Sequence, residues 1–423
     1  MKTKAVRLYG INDLRLEEFD LPQIKDDEIL VKVVSDSICM SSHKLAMQGE
    51  GHKRVRHNLN KEQPIIGHEF CGIILETGSK WAHKFQKGSK FVIQPAMNHP
   101  DDEGIPTLWA PGYSFEYCGG AATYAIIPSE IMEMGCLLDY SGDNFYMGSL
   151  AEPASCIAGA FNAQYHIENN SYNHKMGIME GGTMIILAGA GPMGLGSIDY
   201  AIHNPCRPSR LIVTDIDDAR LNRAAQLLPV EEAKTHGVEL IYVNTVDMVN
   251  PAGNLISMNS GKLFDDVFVF APVKPLVELG GQLLGKDGCL NFFAGPTDTE
   301  FSASLNFYNV HYEGHHVVGT TGGNTSDMKQ AISMMTEGKI NPIFMITHIG
   351  GLDSVPEATV NLDKIPGGKK LIYTHKKLPL TAIEDFSKMS NPLFTQLAEI
   401  CRRHNNLWST EAENYLLENA EEI

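Results

Sequence analysis

The sequence predicts an α/β chain: a doubly wound parallel sheet joined to a separate β-rich domain, with a helical C-terminal extension. Two textures carry this reading. Residues 1–150 hold short apolar strands at 29–34, 71–76, 91–94 and 122–127, punctuated by Gly, Pro and Asp. From residue 183 strands and helices alternate instead. The apolar run 184–188 enters the glycine-rich stretch 189–196, and 197–203 reads as a helix stopped by Asn204-Pro205. The next strand is 211–214, so the segment is a βαβ unit and its sheet is parallel. Strands at 266–270, 289–293 and 316–319 continue the alternation, and 326–337 reads as a helix. Residues 376–423 keep helical spacing at Leu397, Ile400 and Leu407 but carry no chemical motif.

Composition narrows the function classes. With 423 residues and 43% hydrophobic content the chain can bury a sizeable core, which excludes a disordered protein. No apolar run approaches the roughly 18–20 residues of a membrane span, and the start, Met1-Lys2-Thr3-Lys4, does not read as a secretory leader. The net charge of −17, from 34 basic and 51 acidic residues, argues against a nucleic-acid partner. Eight cysteines lie scattered with no C-x-x-C pair, which suits reduced thiols in a cytoplasmic enzyme.

Residues 189–194 are Gly-Ala-Gly-Pro-Met-Gly, a G-x-G-x-x-G between a strand and a helix. Gly189 permits the tight turn, Gly191 lets backbone approach a pyrophosphate, and Gly194 lets helix pack on strand. The helix start, with Pro192 and Met193, offers unpaired N–H groups to the anion. Asp215 ends the next strand, 21 residues after Gly194, where a carboxylate takes a ribose 2′-hydroxyl. Taken alone, Asp215 in Thr-Asp-Ile-Asp-Asp reads as a helix cap. Arg220 lies close enough to soften the selection against a 2′-phosphate. The motif calls for NAD(H) in a Rossmann domain, with NADP(H) as the second candidate.

Upstream stands a metal-ligand set: Cys39 in Ser-Ile-Cys-Met-Ser-Ser, His68-Glu69 in Ile-Gly-His-Glu-Phe-Cys-Gly, and Glu152 in Leu-Ala-Glu-Pro. Thiolate, imidazole and carboxylate suit Zn²⁺. The spacing is long, and singly each residue has an ordinary reading: Cys39 as a small buried hydrophobe, Glu152 as a helix-start carboxylate. Their combination with a dinucleotide site raises the metal reading, because zinc beside a nicotinamide polarises a carbonyl for hydride attack.

With these segments the chain resembles the zinc-dependent medium-chain dehydrogenase/reductase family, in its sorbitol dehydrogenase branch. The resemblance covers residues 1–375. It rests on the cysteine segment, Gly-His-Glu-x-x-Gly at 67–72, Glu152-Pro153, the glycine motif, and Ile346-Thr347-His348 followed by Leu352-Asp353 and Glu357-Ala358. It implies a GroES-like catalytic domain at 1–155, a Rossmann domain at 156–318, a return to the catalytic domain at 319–375, and the extension at 376–423. It implies one catalytic zinc on Cys39, His68, Glu69 and Glu152, one glutamate reaching the metal through water. The family's hydroxyl relay carries over to Ser41, which bonds the substrate oxygen and passes its proton. A cytoplasmic homo-oligomer, dimer or tetramer, is also implied.

Two departures stand out. The family pattern Cys-Gly-Thr/Ser-Asp, with a histidine five residues after the cysteine, here reads Met40, Ser42 and Lys44, and adjacent His43 is expected to point elsewhere. The four-cysteine lobe of many members is reduced to Cys118 within 94–120, so a structural zinc is not expected.

The substrate is signalled by His-Lys-Arg-Val-Arg-His at 52–57. Chance places roughly half a basic residue in such a window at this composition, and Lys53, Arg54 and Arg56 supply three. A basic patch tethered near the zinc residues can hold a phosphate in an otherwise acidic chain; the plain alternative is a solvated loop. The Cys-Met-Ser-Ser variant and the long C-terminal segment resemble ketose-phosphate reductases of the branch, implying reduction of L-sorbose 1-phosphate to D-glucitol 6-phosphate. Two other readings stay open: a dehydrogenase of an unphosphorylated polyol or amino alcohol (sorbitol or threonine type), and a catalytically silent NAD-binding structural or regulatory protein.

Overall fold

The computed structural model describes residues 1–56, 58–101, 103–168 and 171–423. His57, the last residue of the basic segment, lies outside the described residues. The chain forms two compact units, one of residues 1–153, 324–336 and 345–423, the other of 154–323 and 337–344. The second unit thus extends five residues past the expected end at 318 and takes back 337–344.

In the second unit six parallel strands lie in the order Glu239–Asn244, Arg210–Asp215, Thr183–Leu187, Phe264–Val269, Leu284–Phe292, His316–Val318. Numbered along the chain, this is the 3-2-1-4-5-6 order of a dinucleotide-binding Rossmann sheet. Helices cover both faces of such a sheet, so its strands read as continuous apolar runs; Met184 through Leu187 are fully buried. Ile185, Ile212, Val267 and Leu290 lie together in its core. The strand Glu239–Asn244 was missed by pattern, because Tyr242 and Asn244 break its apolar run.

The first unit is built on a mixed sheet ordered Thr381–Ala382, Ile346–Gly351, Lys369–Tyr373, Ile29–Ile38, Phe70–Thr77, Lys90–Ile93, Leu137–Asp139, with Tyr124–Ile127 also paired to Ile29–Ile38. Val31, Phe70, Phe91 and Ile127 fill its core. The return segment supplies strands from the far end of the sequence. Lys369–Tyr373 runs antiparallel to Ile29–Ile38, with Lys370 opposite Ile38. An N-terminal hairpin, Lys2–Gly10 with Asp13–Asp20, was not predicted; its two-residue turn, Ile11-Asn12, lacks the glycine that marks such hairpins.

The C-terminal extension forms the helices Pro392–Arg403 and Thr410–Asn419 and belongs to the first unit. Leu397 and Ile400 are buried as their spacing predicts, Leu407 is half-buried, and Trp408 is 1% exposed. Among the described residues no helix is long and apolar enough to cross a membrane.

Candidate active site

Three strand ends converge in the first unit. Ile29–Ile38 stops at Cys39, which occupies the N-cap position of the helix Met40–Gln48 with φ −102° and ψ 150°. A thiol there meets the positive end of the helix, which favours its thiolate. The neighbouring strand begins at Phe70, in register with Asp36, and so sets His68-Glu69 beside the cysteine. Gly67 makes the turn at φ +91°, and a Cβ on it would lie 2.2 Å from Asp36 Oδ2. Only glycine fits this left-handed, closely packed position. The third strand starts at Lys369.

The ligand atoms of Cys39, His68 and Glu69 lie within 4.8 Å of one another. Sulfur, nitrogen and oxygen donors at this separation fit Zn²⁺. Ser42 Oγ contacts His68 Nδ1 at 3.4 Å and Ser41 Oγ contacts Nε2 at 3.2 Å. Ser42, a departure from the family pattern, thus gives His68 an orienting partner, the part second-shell groups play around metal-binding histidines. Glu69 accepts from Ser37 on Oε2 and from Lys369 on Oε1. The Lys369 cation and His68 draw the Glu69 carboxyl below its usual range, against the opposing effect of burial. Burial pushes the Cys39 thiol up, and Lys369 pulls the other way. Glu152 stands outside the compact triad but is 7% exposed. Its carboxyl is pushed up to about 7, first by burial and then by the Glu69 charge, with His68, Cys39 and Lys369 also acting on it.

Ser41 Oγ donates to Cys39 Sγ at 3.0 Å. Tyr113, which the sequence reading missed, is 4% exposed. Its ring lies 5.0 Å from that of His68 and 5.4 Å from that of His52, which it stacks at 16°. The Arg54 guanidinium stands 5.5 Å from the same ring. The cation therefore lies no farther from the His68 imidazole than those two steps through Tyr113. His52 Nδ1 accepts from the Arg54 amide at 3.2 Å. The His52 pKa is pushed down to about 4, above all by burial and then by Arg54 and Lys53, with His68 and Lys44 contributing. Four other basic side chains thus act on one buried imidazole.

The basic segment divides. Lys53 is exposed, and Arg54 Nη1 donates to the Leu108 carbonyl at 3.0 Å. Arg56 is neutralised by Glu130 at 3.1 Å, with its guanidinium 3.5 Å over the Trp109 ring. Its charge is thus already met by a carboxylate within the same unit. His43 is buried and turned to the Thr359 carbonyl at 2.9 Å, away from the triad. Lys44, at the family's histidine position, has its pKa lowered by burial, with the Cys39 and Lys53 charges also acting on it.

In the second unit the glycine turn has the expected construction. A Cβ on Gly194 would sit 2.0 Å from the Gly189 carbonyl oxygen, whereas one on Gly191 would meet nothing within 4 Å. Gly194 is needed for packing, and Gly191 leaves an open approach to the helix start. The helix begins earlier than predicted, Pro192–His203, with Gly191 as its cap, because proline's fixed φ suits the first turn. Asp215 Oδ2 accepts from the Ala190 amide at 3.2 Å, tying the end of the second strand to this turn. Arg220 pairs loosely with Asp217 at 3.7 Å. This turn is the construction a dinucleotide's pyrophosphate requires.

Comparison with known proteins places the chain among dehydrogenases and reductases of this fold. Residues 25–134 match the family described as Alcohol dehydrogenase GroES-like domain. The chain is 50% identical over 419 residues to mannitol-1-phosphate 5-dehydrogenase of Aliivibrio fischeri, covering 99% of this chain and 98% of that one. It is 48% identical over 421 residues to L-sorbose 1-phosphate reductase of Klebsiella pneumoniae, covering 100% and 98%. Its fold matches crystalline 2R,3R-butanediol dehydrogenase of Bacillus subtilis with a TM-score of 0.68 at 20% identity, over 88% of this chain and 99% of that one.

Proposed function

The chain belongs to the zinc-dependent medium-chain dehydrogenase/reductase family, and from that premise we propose that it interconverts a polyol phosphate and a ketose phosphate, with L-sorbose 1-phosphate and D-glucitol 6-phosphate as the specific pair. The observation that carries the phosphate reading is the Tyr113 junction: one buried ring lies 5.0 Å from the His68 ring and 5.5 Å from the Arg54 guanidinium. In a ketose 1-phosphate the phosphorus is only a few bonds from the carbonyl carbon, so one site must serve both groups. The two full-length relatives, each named for a phosphorylated substrate, support the same class.

Cys39, His68 and a glutamate, Glu69 or Glu152, would hold the zinc. Zinc supplies Lewis-acid polarisation of the reacting oxygen and the nicotinamide dinucleotide supplies or takes the hydride. The chain's own residues do the rest. Ser41 carries the proton to or from the reacting oxygen, with its hydroxyl placed against Cys39 Sγ and His68 Nε2. Ser42 fixes the His68 ring. Arg54 and Lys53 receive the phosphate, and Lys44 adds positive potential; charged hydrogen bonds of this kind give orientation as well as affinity. Arg56 anchors the segment through Glu130 and Trp109.

A panel of ketoses and ketose phosphates, read by NADH absorbance on the zinc-loaded protein, tests the reading. Phosphorylated ketoses should be reduced with kcat/KM at least about tenfold above their free sugars, the value of one charged hydrogen bond. Equal efficiency on free and phosphorylated sugars would move the assignment to an unphosphorylated polyol.

A further inference from the structure

The C-terminal extension carries a buried carboxylate that the reaction does not use. Glu413, on the helix Thr410–Asn419, is 1% exposed. Its Oε2 accepts from the Phe145 amide at 2.8 Å, and Oε1 accepts from the Tyr146 amide at 2.8 Å and from the Tyr373 hydroxyl at 2.9 Å. Trp408 Nε1 in turn donates to the Tyr373 oxygen at 2.8 Å. Thr410 also receives a hydrogen bond from Asn144 Nδ2 at 3.1 Å. The extension therefore supplies the partners of the first two amides of the short helix Phe145–Ser149, while Asn144 Oδ1 caps the third, that of Met147.

That helix is wedged among the segments that bear the metal ligands. Ser35 Oγ donates to the Phe145 carbonyl at 2.9 Å and meets Ser149 Oγ at 2.5 Å, so one serine grips both ends of it. Ser35 lies two residues before Ser37, the donor to Glu69, on the strand that ends beside Cys39. Gly148 faces the other strand, where a Cβ would come within 2.3 Å of Cys71 Sγ, two residues after Glu69. The helix then leads through Leu150 into Ala151–Ala163 and Glu152.

We propose that Glu413 is a positioning residue for the metal site: through the helix Phe145–Ser149 it sets the strands that carry Cys39 and Glu69 and the start of the helix that carries Glu152. The proposal rests on the metal reading above. A buried carboxylate that accepts two backbone N–H groups and a phenol cannot be replaced by its amide without a mismatch, because the amide nitrogen would face a donor. The extension is then part of the active-site scaffold.

The test is the rate at which the full-length zinc-loaded protein releases metal to a chromophoric chelator, measured with Tm for wild type, E413Q and Y373F. Y373F removes one donor to Glu413 but leaves both helix amides capped. The expected result is release from E413Q about tenfold faster than from wild type, the lower end for outer-shell partners of metal ligands. Y373F should stay near the wild-type rate even where its Tm falls comparably. Release that follows Tm alone across the variants, or E413Q releasing at the wild-type rate, would overturn the proposal and leave Glu413 a stability residue. If E413Q does not fold, E413D, which keeps the charge but draws it back by one methylene, is read against Y373F by the same criterion. Wild-type protein that takes up no zinc would instead sink the metal reading itself, so the two failures are distinguishable.

Discussion

Lys369 Nζ donates to Glu69 Oε1, and the two side chains are 7% and 1% exposed. Removing one partner of such a pair leaves a charge in low dielectric without compensation. Lys369→Met should therefore cost about 3–5 kcal/mol of unfolding free energy in the metal-free protein. Added zinc should restore part of it, since a cation then stands opposite the carboxylate again. Urea denaturation with and without zinc measures both. A loss under about 1 kcal/mol, the scale of an exposed ion pair, would show that the pair is not buried in solution.

Ser41→Ala should lower kcat by about 10²-fold or more, the usual value of positioned proton transfer. Cofactor KM should stay unchanged. Steady-state kinetics at saturating cofactor decides it, and an unchanged kcat would move the proton relay off Ser41.

Arg54 and Arg56 should separate by phenotype although only two positions divide them. Arg54→Met should raise KM for a ketose phosphate about 10–150-fold, the worth of one charged hydrogen bond, and leave the free ketose untouched. Arg56→Met should lower Tm through loss of the Glu130 pair and the Trp109 stack, and keep the phosphate preference. Equal kinetic effects from both would mean that the segment reads phosphate as a diffuse charge.

Cofactor choice should follow Asp215. A 2′-phosphate beside this carboxylate meets like charge, so kcat/KM with NADH should exceed that with NADPH. Asp215→Ser should narrow the ratio by about tenfold, or ~1.4 kcal/mol. A wild-type preference for NADPH would place Asp215 outside the ribose site.

How much of this was legible in the sequence depended on whether the chemistry was local. The glycine turn was readable because its three glycines and the flanking strand and helix lie within one βαβ unit. Cys39, His68 and Glu69 were legible through short segments characteristic of the family. Lys369 was not, because it meets Glu69 across 300 residues and no spacing rule encodes a strand arriving from the far end of the chain. Its faint signal was Lys369-Lys370 opening an otherwise apolar strand. Tyr113 looked like an ordinary aromatic in an irregular stretch, and only folding sets its ring beside those of His52 and His68. The Arg56–Glu130 pair was not legible either, because the two residues are 74 positions apart.

The central claim, a single zinc held by the Cys39 set and required for turnover, is tested most directly by metal analysis of wild-type protein and Cys39→Ala, paired with NADH-dependent reduction of a ketose phosphate. The account predicts one zinc per chain in the wild type, and loss of both metal and turnover in Cys39→Ala with the fold retained by circular dichroism. Wild-type turnover in Cys39→Ala would contradict it.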